Sequence, residues 1–176
     1  DLADVDGVGV GVPGLVDPAD GSVVHAVNLG IEGGRFALAE ALSAELGGVP
    51  VQVDNDLNVA ALGASHLRGA EGEDLAFLAL GTGLAAGIVL GGELRRGVSG
   101  AAGEIGHIPI DPRGPECACG QRGCVEVYAS GSAVSARWPS RHGRPAPAEL
   151  FEAAAAGAPG AIRHARAGAS AAASGG

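Results

Sequence analysis

Short apolar runs along this chain are each followed by turn residues. Such runs, almost continuous and ending at glycine, proline or aspartate, predict buried strands. They occur at 8–16, 22–24, 49–54, 75–80, 84–90 and 93–96. Asp20-Gly21 and Gly91-Gly92 separate neighbouring runs. Because both pairs suit two-residue turns, the pattern predicts a hairpin at each position.

Other segments space their apolar residues with the period of a helix. Leu38, Leu42 and Leu46 share one face of a helix predicted at 36–46, and Gly47-Gly48 ends it. Further helices are predicted at 57–67, from 133 to the proline at 139, and at 148–156.

The chain is expected to divide near residues 56–58, between the Asn-Asp turn and the helix that follows. Residues 1–57 then form the end of one α/β lobe and residues 58–156 the start of another. The segment 157–176 has small side chains and weak periodicity, so we predict a disordered tail there.

Composition and charge exclude several classes of protein. The 176 residues are 47% hydrophobic and 18% charged, which gives room for a real core and excludes a disordered or fibrous chain. No apolar stretch is long enough to span a membrane. The net charge of −9 repels phosphate backbones, so we expect no nucleic acid to bind these residues.

The strongest chemical signal is a cluster of metal-ligand residues. One histidine and all the cysteines of the chain share a short glycine-rich segment: His107, Cys117, Cys119 and Cys124. One imidazole and three thiolates make a closed tetrahedral set for zinc, with no place left for water. Gly120 and Gly123 let the backbone return the last cysteine to the same ion. The segment therefore predicts a structural zinc, and the alternative is three unrelated thiols beside a surface histidine.

Asn55-Asp56 stands between a predicted strand and a predicted helix. Ligands of open α/β sheets bind beyond the carboxyl ends of strands, and a carboxylate there can accept a proton from a substrate hydroxyl. The alternative is that one of these side chains only caps the helix.

Two further motifs carry polar groups near glycines. Gly81-Thr82-Gly83, between two predicted strands, exposes backbone N–H groups and a hydroxyl that can hold a phosphate, although a plain hairpin turn looks similar. Glu104 and His107 share one face if they lie on a helical turn. A metal loop that holds His107 and Glu126 could direct hydrogen-bonding groups toward a polyhydroxyl ligand. The alternative is that these carboxylates simply lie on the surface near the loop and bind nothing.

Together these motifs resemble the ROK family of repressors, open reading frames and sugar kinases. The family signature, E-x-G-H followed by C-x-C-G-x-x-G-C-x-E, is matched at 104–126. Further blocks match in order: VGVGVPGLVD at 8–17, VNLG at 27–30, VDNDLNVAALG at 53–63 and LALGTGLAAGIVLGGELRRG at 78–97.

The resemblance implies a partial actin-like, ribonuclease H-like α/β fold with a structural zinc loop. It implies that a hexose or amino sugar is phosphorylated by ATP with Mg²⁺, and that Asp56 is the catalytic base. The implied sugar ligands are Asn28, Asn55, Glu104, His107 and Glu126. The implied phosphate turn is Gly81, Thr82 and Gly83. The resemblance also implies a cytoplasmic homo-oligomer.

Two family blocks have no counterpart in these residues: the first phosphate loop, D-x-G-G-T-K, and a later block that contacts adenosine. We therefore expect a central fragment that lacks both ends of the ATP site and has little activity by itself. A glucokinase-like sugar kinase is the leading interpretation. The alternative is the sugar-sensing domain of a ROK repressor, in which DNA would be bound only by a helix-turn-helix outside these residues.

Overall fold

The structure, a computed structural model, describes residues 4–24, 26, 29–31, 33–69, 72–138, 140 and 143–174. Its contacts group the chain into two compact units, residues 1–77 with 86–103 and residues 78–85 with 104–176. The division between these contact groups falls inside two strands, because the segment 86–103 makes its contacts with the earlier part of the chain. Assigning 1–57 and 58–156 to two lobes remains a prediction.

The first unit is built on two parallel strands with a helix between them. Strand β1 (Val8–Val12) pairs with β4 (Val51–Asn55), and the connecting chain includes helix α1 (Leu38–Glu45). The register brings Val12 opposite Asn55, so the two strands end at the same edge. That edge is where an α/β sheet presents its functional side chains.

A hairpin and a small core complete this part of the unit. Strands β2 (Leu15–Asp17) and β3 (Ser22–Val24) are antiparallel, and Gly21 turns the chain with a φ of +65°. The hairpin predicted at Asp20-Gly21 is therefore confirmed. The strands and α1 bury one apolar cluster: Val12, Val16, Val23, Ala26, Ala39 and Val53.

Helix α2 (Asp56–Leu67) begins directly after β4. Strands β5 (Leu75–Leu80), β6 (Leu84–Leu90) and β7 (Glu93–Leu94) form a sheet in that order, with the predicted hairpin between β6 and β7. At Gly87, a Cβ atom would lie 2.2 Å from the carbonyl oxygen of Leu57, so only glycine lets the start of α2 approach β6 this closely.

The second unit is mostly helical. A 3₁₀ turn (Ile105–His107) precedes the cysteines, and in the described part of the chain four helices follow them: α3 (Glu126–Ala129), α4 (Gly131–Arg137), α5 (Ala146–Ala155) and α6 (Pro159–Ser174). Helix α6 contacts α3 and α5, and its Ala161 is fully buried. The disordered tail predicted at 157–176 is thus a helix over most of its length, because packing stabilises a segment whose own periodicity is weak.

None of the helices in the described ranges has the length and apolar character of a membrane-spanning segment.

Candidate functional site

Asn55 caps helix α2, as one of the two sequence interpretations predicts. Its Oδ1 accepts hydrogen bonds from the backbone N–H groups of Leu57 and Asn58, at 2.9 and 3.4 Å. Its Nδ2 donates to the carbonyl oxygen of Gly14 at 3.1 Å. The side-chain amide therefore ties the end of β4 to the turn after β1. That Asn55 also binds a sugar stays a prediction.

Asp56 presents an exposed carboxylate at the carboxyl edge of the β1–β4 pair. Oδ1 accepts the backbone N–H of Leu57 at 2.9 Å, and none of the described residues donates a hydrogen bond to Oδ2. The backbone here is close to β1, since a Cβ on Gly11 would lie 3.3 Å from the Asp56 Cα. Asp56 thus has one oriented oxygen and one oxygen able to accept a proton.

Three residues next to this turn were missed by the sequence analysis. Arg96 donates from Nε and Nη2 to Oδ2 of Asp54, at 2.8 and 2.6 Å. Oδ1 of Asp54 accepts Nδ2 of Asn58 at 2.9 Å and the backbone N–H of Asn55 at 2.8 Å. Arg96 is distant in sequence from the other two, so no local spacing could have indicated it.

In the second unit, Gly81-Thr82-Gly83 forms a tight turn, closed by a 3.0 Å hydrogen bond from the Gly81 N–H to the Gly83 carbonyl oxygen. The first residues of α4 hold this turn, because the Gly131 N–H donates to the Gly81 carbonyl oxygen at 2.7 Å. Thr82 is exposed. A cavity of about 530 Å³ adjoins the turn, lined by polar Thr82, Ser132 and Ser135 and apolar Leu80, Val134, Pro147 and Phe151, among others.

Glu126 bonds to the residue that directly follows the same turn. Its Oε2 accepts the backbone N–H of Leu84 at 2.9 Å. A Cβ on Gly83 would lie 2.6 Å from that Oε2, so a side chain at this position would displace the Glu126 carboxylate. The carboxylate that the sequence analysis assigns to a sugar therefore also fixes the geometry of the glycine turn.

The histidine and the cysteines meet at one point. One ligand atom from each of His107, Cys117, Cys119 and Cys124 lies within 4.8 Å of all the others. The separations are 3.6 Å from His107 Nδ1 to Cys117 Sγ and 3.7 Å from Cys119 Sγ to Cys124 Sγ. A tetrahedral zinc with Zn–S bonds of about 2.3 Å places two sulfurs about 3.8 Å apart, so the donor set fits such an ion.

Glycine conformation allows this loop to close. Gly120 and Gly123 have φ values of +88° and +66°, as the sequence analysis expects. A Cβ on Gly123 would lie only 1.8 Å from the carbonyl oxygen of Asp111.

The thiols differ in acidity. The backbone N–H of Gln121 is the main cause that lowers the pKa of Cys119 to about 7, while burial raises the pKa of Cys124 to about 12. A bound cation favours the thiolate form of every ligand, so it would remove the cost of ionising the buried Cys124.

Glu104 and His107 lie at the start and end of the 3₁₀ turn, as their spacing predicts. Oε2 of Glu104 is 3.7 Å from Nε2 of His107, while Nδ1 of the same ring faces the cysteines. A carboxylate on the far nitrogen is the usual partner of a metal-bound histidine and selects its tautomer.

The predicted site residues are thus distributed over both units. Asn55 and Asp56 belong to the first; Glu104, Glu126, the glycine turn and the metal cluster belong to the second. Asn28, the remaining predicted sugar ligand, lies outside the described residues.

A sequence profile of the ROK family matches residues 1–175. The chain belongs to the ROK family. A glucokinase of Halalkalibacterium halodurans is 42% identical over 135 residues, which cover 76% of this ROK chain and 40% of the relative. The xylose repressor of Bacillus subtilis is 38% identical over 129 residues, covering 73% of this chain and 33% of the repressor.

A solved ROK glucokinase from Streptomyces griseus, in complex with glucose and AMPPNP, has a TM-score of 0.72 and 36% identity. The match covers 92% of this chain and 57% of that one. ROK kinases have the actin-like ATPase fold, so the predicted fold class is confirmed for this α/β chain. The ROK chain described here spans 40% or less of the length of the two relatives named above.

Proposed function

We propose that this chain is the central part of an ATP-dependent sugar kinase that phosphorylates a hexose or an amino sugar. The observation that carries the proposal is the Asp56 carboxylate at the carboxyl edge of the sheet, with one oxygen oriented by the N–H of Leu57 and the other free of described partners. A repressor that only senses a sugar has no need of a base, whereas phosphoryl transfer to a hydroxyl does.

In the proposed reaction, a sugar hydroxyl loses its proton to Asp56 while its oxygen attacks the γ-phosphorus of ATP. The γ-phosphoryl group leaves the β-phosphate oxygen, and ADP is released. Phosphoryl transfer depends mainly on positioning and charge stabilisation, with Mg²⁺ neutralising the phosphates when it is bound. A positioned base contributes about 10²–10⁴-fold to the rate.

We assign the phosphates of ATP to Gly81, Thr82 and Gly83. The turn carries an exposed hydroxyl, its backbone is held by α4 and Glu126, and a cavity adjoins it. The glucokinase from Streptomyces griseus, whose solved complex contains glucose and AMPPNP, supports both a sugar and a nucleotide as substrates.

We assign Glu104, His107 and Glu126 to the sugar, together with Asn55 and Asn28. Zinc is the metal that suits one histidine and three cysteines, and with all four positions filled by protein it has a structural role. By taking Nδ1 of His107 it would leave Nε2–H as a fixed hydrogen-bond donor.

The second candidate function is the sugar-sensing domain of a transcriptional repressor. It is favoured by the 38% identity to the Bacillus subtilis xylose repressor, which approaches the 42% identity to the glucokinase. The metal loop and the sugar-facing residues would serve a sensor equally well, and Asp56 would then be an inherited residue with no role in turnover.

The test is made with the protein encoded by the whole gene that contains this chain. ADP release is measured with ATP and a panel of hexoses and amino sugars. Asp56→Asn is expected to retain sugar binding and to lose about 10²–10⁴-fold in turnover. Glu45→Gln, an equal change of charge on an exposed carboxylate of the same unit, is the control. Sugar binding that alters DNA affinity, without ATP turnover in the parent protein, would establish the repressor instead.

A further inference from the structure

Arg96 and Asp54 form an ion pair beside the proposed base. Arg96 follows β7, and both Nε and Nη2 donate to the same oxygen of Asp54, at 2.8 and 2.6 Å. The pair is partly sheltered, with the Asp54 side chain 15% exposed and the Arg96 side chain 34% exposed. Such a pair holds a more defined geometry than an exposed one, because two donors fix the guanidinium plane.

The other oxygen of Asp54 is used inside the turn. Oδ1 accepts the backbone N–H of Asn55 at 2.8 Å and Nδ2 of Asn58 at 2.9 Å. Asn58 is 4% exposed and lies in the first turn of α2. One carboxylate therefore joins the last residues of β4 to the start of the helix, and Asp56 lies between the two points that it holds.

We propose that Arg96 is a positioning residue for Asp56 and that it acts through Asp54. Without the guanidinium, the Asp54 carboxylate is free to rotate toward solvent, which releases the N–H of Asn55 and the amide of Asn58. The backbone on both sides of Asp56 then loses a restraint. Small displacements of a reacting group lower turnover strongly, because the rate depends on alignment in the transition state.

The neighbouring arginine supplies a matched comparison. Arg95 pairs with the exposed Glu93, Nη1 to Oε2 at 3.2 Å, and donates to the carbonyl oxygen of Leu90. Among the described residues, the Arg95 side chain bonds to Glu93 and Leu90 and not to the turn at 54–58, so the two adjacent arginines differ in whether they touch this network. A general effect of removing positive charge from this strand end would appear when either arginine is replaced. A positioning effect would appear only when Arg96 is replaced.

This inference rests on the proposed function, because positioning matters for turnover only if Asp56 is the base. In the whole-gene protein, Arg96→Gln is expected to lower kcat about 10- to 100-fold while KM for the sugar and for ATP changes by less than about threefold. Arg95→Gln is expected to leave both within about twofold of the parent. Arg96→Lys, which keeps the charge but cannot donate to Oδ2 from two nitrogens at once, is expected to recover only part of kcat.

A double-mutant cycle tests the route through Asp54. Asp54→Asn combined with Arg96→Gln is expected to be no slower than the worse single variant, because both changes break one network. Additive losses would overturn the proposal, as would equal effects of Arg96→Gln and Arg95→Gln. Urea unfolding measures the stability of each variant, and Arg96→Lys is expected to be the least destabilised. A variant that stays folded but turns over slowly has a misplaced turn and has not lost its fold.

Amide hydrogen exchange keeps the inference testable if the parent has no kinase activity. Arg96→Gln is expected to accelerate exchange at Asn55 and through 56–58, and Arg95→Gln is not. Faster exchange without turnover in the parent means that the proposed function fails while the restraint exists. Unchanged exchange at Asn55 overturns the restraint itself, whatever the parent's activity.

Discussion

The turn at 54–58 and the loop at 104–126 carry the two halves of the proposed chemistry, and different forces hold them. The turn lies between a strand and a helix, and the side chains of Asp54 and Asn55 pair with nearby backbone N–H groups. Within the loop, the regular elements are a 3₁₀ turn and two isolated bridges, Pro109 to Cys124 and Glu116 to Arg122. Side-chain hydrogen bonds therefore dominate in the turn, whereas backbone hydrogen bonds such as Gly123 N–H to the Pro115 carbonyl oxygen dominate in the loop. The four converging metal ligands would add a cross-link to the loop.

Removing one metal ligand should have the largest effect and should be confined to the loop. Cys119→Ser is expected to reduce the zinc content from one per chain to none, because structural zinc in small domains contributes roughly 10–16 kcal/mol of binding free energy. Hydrogen exchange should rise across 104–126 and stay unchanged at 51–58. Metal analysis and site-resolved exchange measure this.

Glu116→Gln is the control for that experiment, since Glu116 lies in the same loop, pairs with Arg122 on the surface and is no ligand. A freshly purified parent protein without zinc would contradict the prediction. Equal loss of order in the turn at 54–58 would erase the distinction between the two regions.

Glu126 tests whether the loop supports the glycine turn through a single hydrogen bond. Glu126→Ala leaves the N–H of Leu84 without its acceptor, which should cost about 1–3 kcal/mol in the free energy of unfolding. Glu126→Gln keeps a carbonyl oxygen at that place and should recover most of the loss. Thermal unfolding and exchange at the Leu84 amide measure both. If the two variants behave alike, the bond does not support the turn.

The difference between local and long-range contacts explains which features could be predicted from the sequence. The candidate metal ligands could be predicted because they fall within one short segment, and the cap at Asn55 because capping is a local signal. Arg96 could not be predicted as a partner of Asp54, since 42 residues separate them and only the fold brings them together. Helix α6 was missed for a similar reason, because its stability comes from packing on α3 and α5. Local patterns therefore predicted the elements and the metal cluster, and tertiary contacts supplied the rest.

Replacing the capping residue Asn55 should destabilise the turn less than replacing a metal ligand destabilises the loop. Asn55→Ala removes the acceptor for the Asn58 N–H and one of the two acceptors for the Leu57 N–H, and should lower the free energy of unfolding by about 1 kcal/mol. Asn55→Asp keeps a capping oxygen but cannot donate to Gly14, so it should recover part of that loss. Urea unfolding measures both variants. An Ala variant as stable as the parent would mean that the hydrogen bonds of Asp54 and Asp56 are enough to hold the turn.

The smallest effect is expected from a surface ion pair of the first unit, and it should appear only in acid. Hydrogen bonding by Ser22, whose backbone N–H donates to Oδ1 at 3.0 Å, and then by the guanidinium of Arg35 lowers the pKa of Asp20 from its usual 3.8 to about 2. A carboxyl group with a lowered pKa in the folded state stabilises the fold above its unfolded pKa, and the contribution disappears as the pH falls through the folded value. Arg35→Gln should therefore flatten the loss of stability between about pH 4 and pH 2, with Arg68→Gln, on the exposed end of α2, as the control. Because Arg35 and Asp20 are exposed, salt should weaken the difference between the variants, which unfolding midpoints across this pH range would measure. A profile for Arg35→Gln that matches the parent at every pH would show that the pair adds nothing, and that the first unit is held by its core and by the network around Asp54.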